Sequence, residues 1–312
     1  MRHDPPSIPG WLARELQFER HLIDVGTPDA PMRMHVMTAG PADGTPIVMA
    51  HGNPTWGYLW RKVVAALDPA TARVRVILPD LIGLGFSDKP RDVGAHTLAQ
   101  HRAWFGAFLD ALARGELGPP TPRFTFVGQD WGAPIGLAAI RSRPASLAGL
   151  VLLNTSVSPP RAGFRPTAFH RFAHTRVVSD LAFRLGLFPQ AFMNLTQGDR
   201  TSIGPAAWRA YVWPLLDPRT NVAPLALARM VPDTLAHPSI PELAEIHAFV
   251  ASFQGPSAIV WGQRDPVLGR VLSWIEKTLP HAKVWRTEAG HFLQEEVPDV
   301  IAEGIRHVLQ AR

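Results

Sequence analysis

Cysteine is absent from the 312-residue chain. Its absence excludes a disulfide, a thiolate metal site and a cysteine nucleophile. The chain also lacks any run of about 18 or more apolar residues, so no segment is predicted to span a membrane. Residues 1–10 are polar and rich in proline, without the apolar stretch of a signal peptide. We therefore expect a cytoplasmic protein.

Lysine is scarce, and most of the net charge of +5 comes from arginines spread along the chain. No dense basic block with interleaved aromatic residues appears, so nucleic-acid binding is not expected. We interpret one arginine-rich stretch as a solvated face, with attraction of anionic substrates as the alternative. It contains Arg161, Arg165, Arg171, Arg176 and Arg184. The oligomeric state is left open.

Short β-like runs alternate with helical patterns along most of the chain. Strands are predicted at 33–38, 46–50, 73–78, 124–127, 149–153, 258–261 and 283–285, and helices at 58–67, 97–114, 267–278 and 298–310. This alternation predicts an α/β fold with a mostly parallel sheet and helices on both faces. Ligands of such sheets bind beyond the carboxyl ends of the strands.

The alternation stops at residue 155 and resumes after residue 237. The segment between is helical, aromatic and repeatedly broken by proline. A compact domain rarely carries so long an excursion without a packing partner. We therefore predict a helical cap at 155–237, inserted into a core formed by 1–154 and 238–312, and covering a site from water.

The sequence Gly128-Gln129-Asp130-Trp131-Gly132 joins a predicted strand directly to a predicted helix. A glycine on each side of the central residue is the spacing of a nucleophile elbow, a sharp turn that lifts one side chain above the sheet. The lifted residue is Asp130. Because a carboxylate is ionised at neutral pH, it is a nucleophile without an activating base.

Two neutral N–H donors flank this predicted nucleophile. Asn53 lies in the sequence His51-Gly52-Asn53-Pro54-Thr55-Trp56 after an earlier strand, and Trp131 follows Asp130. Their backbone N–H groups are predicted to form an oxyanion hole. The Asn53 amide and the Trp131 indole can in addition bind a leaving anion such as halide. The alternative is that Asn53 caps a helix and Trp131 packs in the core.

A base and an acid follow later strands. His291 lies in the loop after the last predicted strand, and Asp265 follows the strand at 258–261. A histidine so placed can act as general base, and the carboxylate can orient and stabilise its cation. The strand before the cap ends in Leu153-Asn154-Thr155, without a carboxylate, which leaves Asp265 as the well-placed acid.

These motifs together resemble those of the haloalkane dehalogenases, within the α/β-hydrolase superfamily. The resemblance also includes Gly85-Phe86-Ser87-Asp88-Lys89-Pro90 and Gly290-His291-Phe292-Leu293-Gln294-Glu295-Glu296. It implies that Asp130 displaces halide from carbon to form an alkyl ester, which water activated by His291 and Asp265 then hydrolyses. It implies a small halogenated substrate, a halide product, and no metal or organic cofactor. Some relatives use a cap tryptophan as halide donor, which makes Trp208 and Trp213 candidates.

Other families share parts of this pattern. Epoxide hydrolases usually place two tyrosines in the cap, whereas only Tyr211 falls in the predicted cap here. Fluoroacetate dehalogenases carry arginine where this chain has Trp131. A non-catalytic hydrolase-fold receptor usually lacks the complete set. The β-lactone decarboxylases of olefin biosynthesis share all the residue types and remain the main alternative.

Overall fold

A mixed β-sheet runs through the computed structural model, which describes residues 1–161, 163–175 and 177–312. Across the sheet the strands stand in the order β1-β2-β3-β5-β4-β6-β7-β8-β9. In chain order they are β1 (Arg2–His3), β2 (Glu19–Asp24), β3 (Arg33–Ala39), β4 (Thr45–Ala50), β5 (Val74–Pro79), β6 (Phe124–Gln129), β7 (Leu147–Leu153), β8 (Ser257–Gly262) and β9 (Lys283–Thr287).

The part of the sheet from β5 to β9 is parallel throughout. Strands β1, β2 and β3 add an antiparallel edge on the side of β5. The prediction of a mostly parallel sheet is confirmed. Because the parallel strands run the same way, the loops after β4, β6, β7, β8 and β9 meet at one edge of the sheet.

Helices pack on both faces of this sheet. They are α1 (Gly10–Glu15), α2 (Arg61–Leu67), α3 (Leu98–Ala113), α4 (Gly132–Ile140), α5 (Ala168–Ala173), α6 (Val177–Arg184), α7 (Pro205–Val212), α8 (Ala223–Arg229), α9 (Ile240–Ser252), α10 (Leu272–Thr278) and α11 (Pro298–Gln310). Within the described ranges, none of these helices is long and apolar enough to cross a membrane.

Side-chain alternation along the strands divides the core into two layers. In β4, Val48 faces the layer that contains α3, α4, α9 and α10, whereas Ile47 and Met49 face the layer that contains α1, α2 and α11. This follows from the two-residue period of a strand. Both layers are apolar, so the sheet is buried on both sides and forms a rigid base for the loops at its edge.

Between β7 and β8 the described residues contain helices and loops but no strand. Helices α5, α6 and α8 share a small apolar cluster of their own, which includes Phe183 and Leu225. Helix α8 also packs against one layer of the core through Leu227, and α7 against the other through Tyr211. These contacts agree with a cap on the core, and its boundaries at 155 and 237 stay a prediction.

One predicted helix begins later than expected, and one strand was not expected. The helix predicted at 267–278 begins as α10 at Leu272, after a short 3-10 helix at Gly269–Val271. The Val267 N–H donates to Asp265 Oδ1 at 2.7 Å, and this bond holds the preceding residues in a turn. Strand β2 was not predicted, because charged residues at both of its ends obscure the short buried run from His21 to Ile23.

Candidate active site

Asp130 stands at the sharp turn between β6 and α4. Its φ of +47° lies in the left-handed region, which a non-glycine residue adopts only when the surroundings enforce it. A Cβ at Gly128 would meet Ala133 Cα at 2.6 Å, and one at Gly132 would meet Ala50 O at 2.3 Å. The flanking positions therefore accept only glycine, as the elbow pattern predicts.

Backbone groups hold one side of the Asp130 carboxylate. The Asn53 N–H donates to Asp130 Oδ1 at 2.8 Å, and the Trp131 N–H also hydrogen-bonds this carboxylate. Burial raises the pKa of Asp130, against the opposing effects of the His291 charge and of these two backbone N–H groups. The second oxygen, Oδ2, lies 3.8 Å from His291 Nε2. This separation is too long for a direct hydrogen bond.

His291 and Asp265 form a close buried pair. His291 Nδ1 lies 2.8 Å from Asp265 Oδ2, so this nitrogen donates and Nε2 faces Asp130. Burial disfavours the protonated imidazole, but the charge and hydrogen bond of Asp265, with the charge of Asp130, outweigh it and raise the pKa of His291 to about 9. The imidazole is thus held between two carboxylates in a fixed orientation.

Asn154 braces Asp265 from the end of β7. Its Nδ2 donates to Asp265 Oδ2 at 2.8 Å and to Gly262 O at 3.0 Å, and its Oδ1 accepts from the Gly262 N–H at 2.7 Å. Its backbone carbonyl accepts the Asp130 N–H at 3.1 Å. Sequence reasoning used Asn154 only as a missing carboxylate. The structure shows that it links the loops of Asp130 and Asp265.

The two predicted side-chain donors differ in their surroundings. The Trp131 ring lines the central cavity, and among the described residues its indole N–H has no hydrogen-bond acceptor. The Asn53 Nδ2 instead donates to Pro224 O in α8 at 2.9 Å. One of the two amide hydrogens of Asn53 is therefore bound to the predicted cap, and Asn53 is not among the described residues that line the central cavity.

The remaining tryptophan candidates are placed elsewhere. The Trp208 Nε1 donates to Gln190 O at 3.1 Å inside the predicted cap. Trp213 packs edge-on against Trp11 at 5.9 Å between ring centroids. Neither side chain lines the central cavity.

A loop of the predicted cap forms hydrogen bonds with the loop that carries His291. The His291 N–H donates to Thr196 O at 2.8 Å. The Gln197 side chain accepts from the Phe292 N–H at 2.9 Å and donates to Phe292 O at 3.1 Å. The position of the imidazole therefore depends on residues nearly a hundred positions earlier in the chain. No pattern in the sequence pointed to this contact.

Asp130 and Trp131 open onto a cavity of about 170 Å³ between the sheet edge and the predicted cap. Most of its other lining side chains are apolar, among them Pro134, Phe164, Val231, Leu243, Val267 and Trp274. A small apolar cavity with a few converging polar groups suits a small organic ligand. Asp130 is the only carboxylate that lines this cavity within the described part of the chain.

Comparison with known proteins identifies the family. Residues 45–298 match the family model of the α/β-hydrolase fold. A haloalkane dehalogenase of Mycobacterium marinum is 32% identical over 295 residues, which cover 92% of this chain and 93% of that protein. Haloalkane dehalogenase 1 of Mycobacterium tuberculosis is 32% identical over 300 residues, which cover 92% and 91%. The chain belongs to the haloalkane dehalogenase family. The resemblance drawn from the motifs is thereby confirmed.

Solved structures of haloalkane dehalogenases share the fold. DbeA from Bradyrhizobium elkani superposes with a TM-score of 0.80 at 24% identity, covering 95% of this chain and all (100%) of that one. DpaA from Paraglaciecola agarilytica superposes with a TM-score of 0.76 at 22% identity, covering 96% and 94%. At such identities the similarity establishes the architecture, and the roles of individual residues have to be argued from their geometry.

Proposed function

We propose that the protein hydrolyses haloalkanes to an alcohol and a halide, with Asp130 as the nucleophile. The observation that carries this proposal is the arrangement of the Asp130 carboxylate. Its Oδ1 accepts the Asn53 N–H, the Trp131 N–H hydrogen-bonds the same carboxylate, and its Oδ2 lies 3.8 Å from His291 Nε2. A carboxylate with one oxygen held and one available is suited to attack carbon.

In the first step, Oδ2 of Asp130 attacks the halogen-bearing carbon and the carbon–halogen bond breaks. The bonding pair leaves with the halide, and an alkyl ester of Asp130 remains. Trp131 lines the cavity beside Asp130, and in this scheme its indole N–H binds the departing halide together with the second amide hydrogen of Asn53. Because both donors are neutral, they stabilise the anion without holding it permanently.

In the second step, His291 Nε2 accepts a proton from a water molecule, whose oxygen adds to Cγ of the Asp130 ester. The charge that develops on Oδ1 is stabilised by the Asn53 N–H group, which already donates to this atom, and by the Trp131 N–H group, which hydrogen-bonds the same carboxylate. Collapse then breaks the bond from Cγ to the ester oxygen, and the alcohol leaves with a proton. One haloalkane and one water give one alcohol, one halide and one proton.

Ester formation changes the charge around His291. The charge of Asp130 contributes to the raised pKa of His291, which is about 9 in the free protein. Alkylation removes that charge, so the pKa of His291 falls when the ester forms. The first step therefore prepares the imidazole to accept the proton that the second step delivers. Asp265 keeps the resulting cation stable and oriented.

The geometry disfavours epoxide hydrolysis, which needs a proton donor for an alkoxide. The Tyr211 hydroxyl is buried and donates to Glu295, and the Tyr58 hydroxyl donates to Glu15 at 2.5 Å. Neither side chain lines the cavity. A β-lactone decarboxylase would use the same carboxylate and imidazole. A β-lactone is therefore included below as a competing substrate.

The His291→Phe variant tests the two steps separately. Phenylalanine cannot accept a proton, so hydrolysis of the ester should slow by about 10²–10⁴-fold while alkylation continues. Incubation with 1-bromobutane should release at most one bromide per protein. Mass spectrometry should then find a butyl group on the peptide that contains Asp130. His281→Phe, in an exposed loop far from this site, is the matched control and should turn over normally.

Three results would reject the scheme. The first is absence of halide release from a broad panel of haloalkanes by the wild-type protein. The second is an accepted substrate that leaves no adduct on the His291→Phe variant. The third is loss of carbon dioxide from a β-lactone at a rate above that of any dehalogenation, which would favour the decarboxylase.

A further inference from the structure

Two exposed arginines from separate segments line the cavity. Arg165 lies in the loop before α5, and Arg270 lies in the 3-10 helix that follows the Asp265 loop. Both are exposed to solvent, whereas the Asp130 side chain, which lines the same cavity, is only 16% exposed. The two guanidinium groups therefore mark the solvent side of the cavity, and the nucleophile marks its floor.

Neither guanidinium has a carboxylate partner among the described residues. Many other arginines of this protein do, for example Arg229 with Asp180 at 2.8 Å and Arg264 with Glu288 at 2.8 Å. Because Asp130 is the only carboxylate along the cavity in the described ranges, the charge at the mouth is not neutralised locally. An unpaired guanidinium presents a planar set of donors that matches a carboxylate.

The positive charge of Arg270 affects the pKa of His170, another residue that lines the cavity. His170 lines the same cavity, and its Nδ1 lies 2.8 Å from Thr167 Oγ1. Burial, with smaller contributions from the charges of His174 and Arg270, lowers the pKa of His170 to about 4. The imidazole is therefore neutral at pH 7. The fixed charges at the mouth are those of the two arginines.

The cationic surface continues beyond the mouth. A second depression of about 370 Å³ shares Ser158 and Trp274 with the cavity, and it is lined by Arg161 and Lys277. The Arg161 guanidinium lies over the Trp274 ring, 4.9 Å from its centroid. Unlike the cavity with Asp130, this second depression has no carboxylate among its described lining residues. An approaching anion would meet positive charge from both depressions before it met Asp130.

We propose that Arg165 and Arg270 form an anion-binding subsite, and that the preferred substrate is a haloalkane with a carboxylate at the end far from the halogen. This inference rests on the proposed function. The negative charge of Asp130 repels a carboxylate from the floor, and the two arginines attract it to the mouth. The opposing charges at the two ends thus orient the chain with its halogen-bearing carbon toward Asp130.

The preference for a substrate with a terminal carboxylate is tested with three bromides of equal chain length. They are 6-bromohexanoate, neutral 1-bromohexane and a cationic 6-bromohexyl trimethylammonium salt. We expect kcat/KM to be highest for the carboxylate and lowest for the cation. The advantage of the carboxylate should shrink as ionic strength rises, since exposed charges are screened within about 8 Å at 0.15 M salt. Equal values for all three bromides would overturn the inference.

Arg165→Gln and Arg270→Gln test the residues themselves. Each change should lower kcat/KM for 6-bromohexanoate by up to about fivefold, the usual range for an exposed ion pair. Neither should change kcat/KM for 1-bromohexane. Arg219→Gln removes the same charge from an exposed position that lines neither depression, and should affect no substrate. A loss for all three bromides, or the same loss in Arg219→Gln, would contradict a specific subsite.

Binding of hexanoate, which carries no halogen, separates this inference from the proposed function. Calorimetry should detect hexanoate binding to the wild-type protein and to Arg219→Gln, and much weaker binding to the Arg165→Gln/Arg270→Gln double variant. If hexanoate binds in this way but no bromide is ever released, the subsite stands and dehalogenation fails. If bromide is released from 1-bromohexane but hexanoate binds the double variant as tightly as the wild type, dehalogenation stands and the subsite fails.

Discussion

Asn154→Asp would replace the hydrogen bond from Asn154 at the end of β7 to Asp265 by a contact between two carboxyl groups. In the wild-type protein Asn154 Nδ2 lies 2.8 Å from Asp265 Oδ2, and Asn154 is fully buried. Aspartate has nearly the same shape, so the new carboxyl group would occupy the same position. It would keep the acceptor for the Gly262 N–H, but it would lose the donor to Asp265 unless it were protonated.

The magnitude follows from the distance. Two unit charges 2.8 Å apart interact by about 6 kcal/mol at an effective dielectric constant of about 20. Folding therefore favours one shared proton on the pair formed by Asp265 and the new aspartate. The folded state holds a proton that the unfolded state releases above about pH 4. The free energy of unfolding of Asn154→Asp, relative to that of the wild type, is thus greatest at low pH and falls by up to about 1.4 kcal/mol per pH unit as the pH rises.

The assay is denaturant unfolding of wild type, Asn154→Asp and Asn154→Ala at several values from pH 5 to pH 8. Asn154→Asp should lose up to about 4 kcal/mol relative to wild type across this range. Asn154→Ala introduces no titratable group. It should cost about 2–6 kcal/mol, for the Gly262 N–H and C=O left without partners, with little dependence on pH. A pH-independent difference between Asn154→Asp and wild type would refute the reasoning.

Three further predictions concern the elbow, the buried ion pair and the base. In Gly52→Ala the new Cβ would lie 2.4 Å from Asp130 Oδ1, so alkylation in single-turnover experiments should slow by at least about 10²-fold while circular dichroism stays native. Glu295→Ala removes the buried carboxylate that binds Arg61 at 2.6 and 2.9 Å. The free energy of unfolding, measured with denaturant, should fall by about 3–5 kcal/mol, and a fall below about 1 kcal/mol would show that the pair contributes little. The rate of ester hydrolysis, followed in single turnovers, should rise with pH and level off below about pH 9. His291 must be neutral to act as the base, and alkylation of Asp130 lowers the pKa of His291 from its value of about 9. A rate that falls as the pH rises would exclude His291 as the base.

The elbow could be predicted from the sequence because it is local. Five consecutive residues define the turn, and the glycines at 128 and 132 are required by contacts with Ala133 and Ala50 that any such turn creates. The sites of Asp265 and His291 could be predicted for a different reason. Parallel strands bring their carboxyl ends to one edge, so residues that follow separate strands become neighbours. In the structure His291 Nδ1 lies 2.8 Å from Asp265 Oδ2, and the catalytic roles of the two residues stay a prediction.

Contacts between distant segments could not be predicted in the same way. The Asn53 amide could be identified as a donor from its place after β4. The hydrogen bond from this amide to Pro224 O, however, depends on how α8 packs on the core. Thr196 and Gln197 hold the His291 loop, but neither residue belongs to a recognisable pattern. Of the arginines between 161 and 184, Arg176 lies outside the described residues, and only the fold brings Arg165 to the cavity.

The sequence by itself determined the α/β architecture, the elbow at Asp130 and the places of Asp265 and His291 after later strands, because these follow from strand periodicity and short motifs. The tertiary structure decided what surrounds them. It made Asn154 a brace for Asp265, and it brought Arg165 and Arg270 to one cavity mouth from positions about a hundred residues apart. Such features depend on how the segment between β7 and β8 packs on the sheet, and packing between distant segments leaves no periodic signal in the chain.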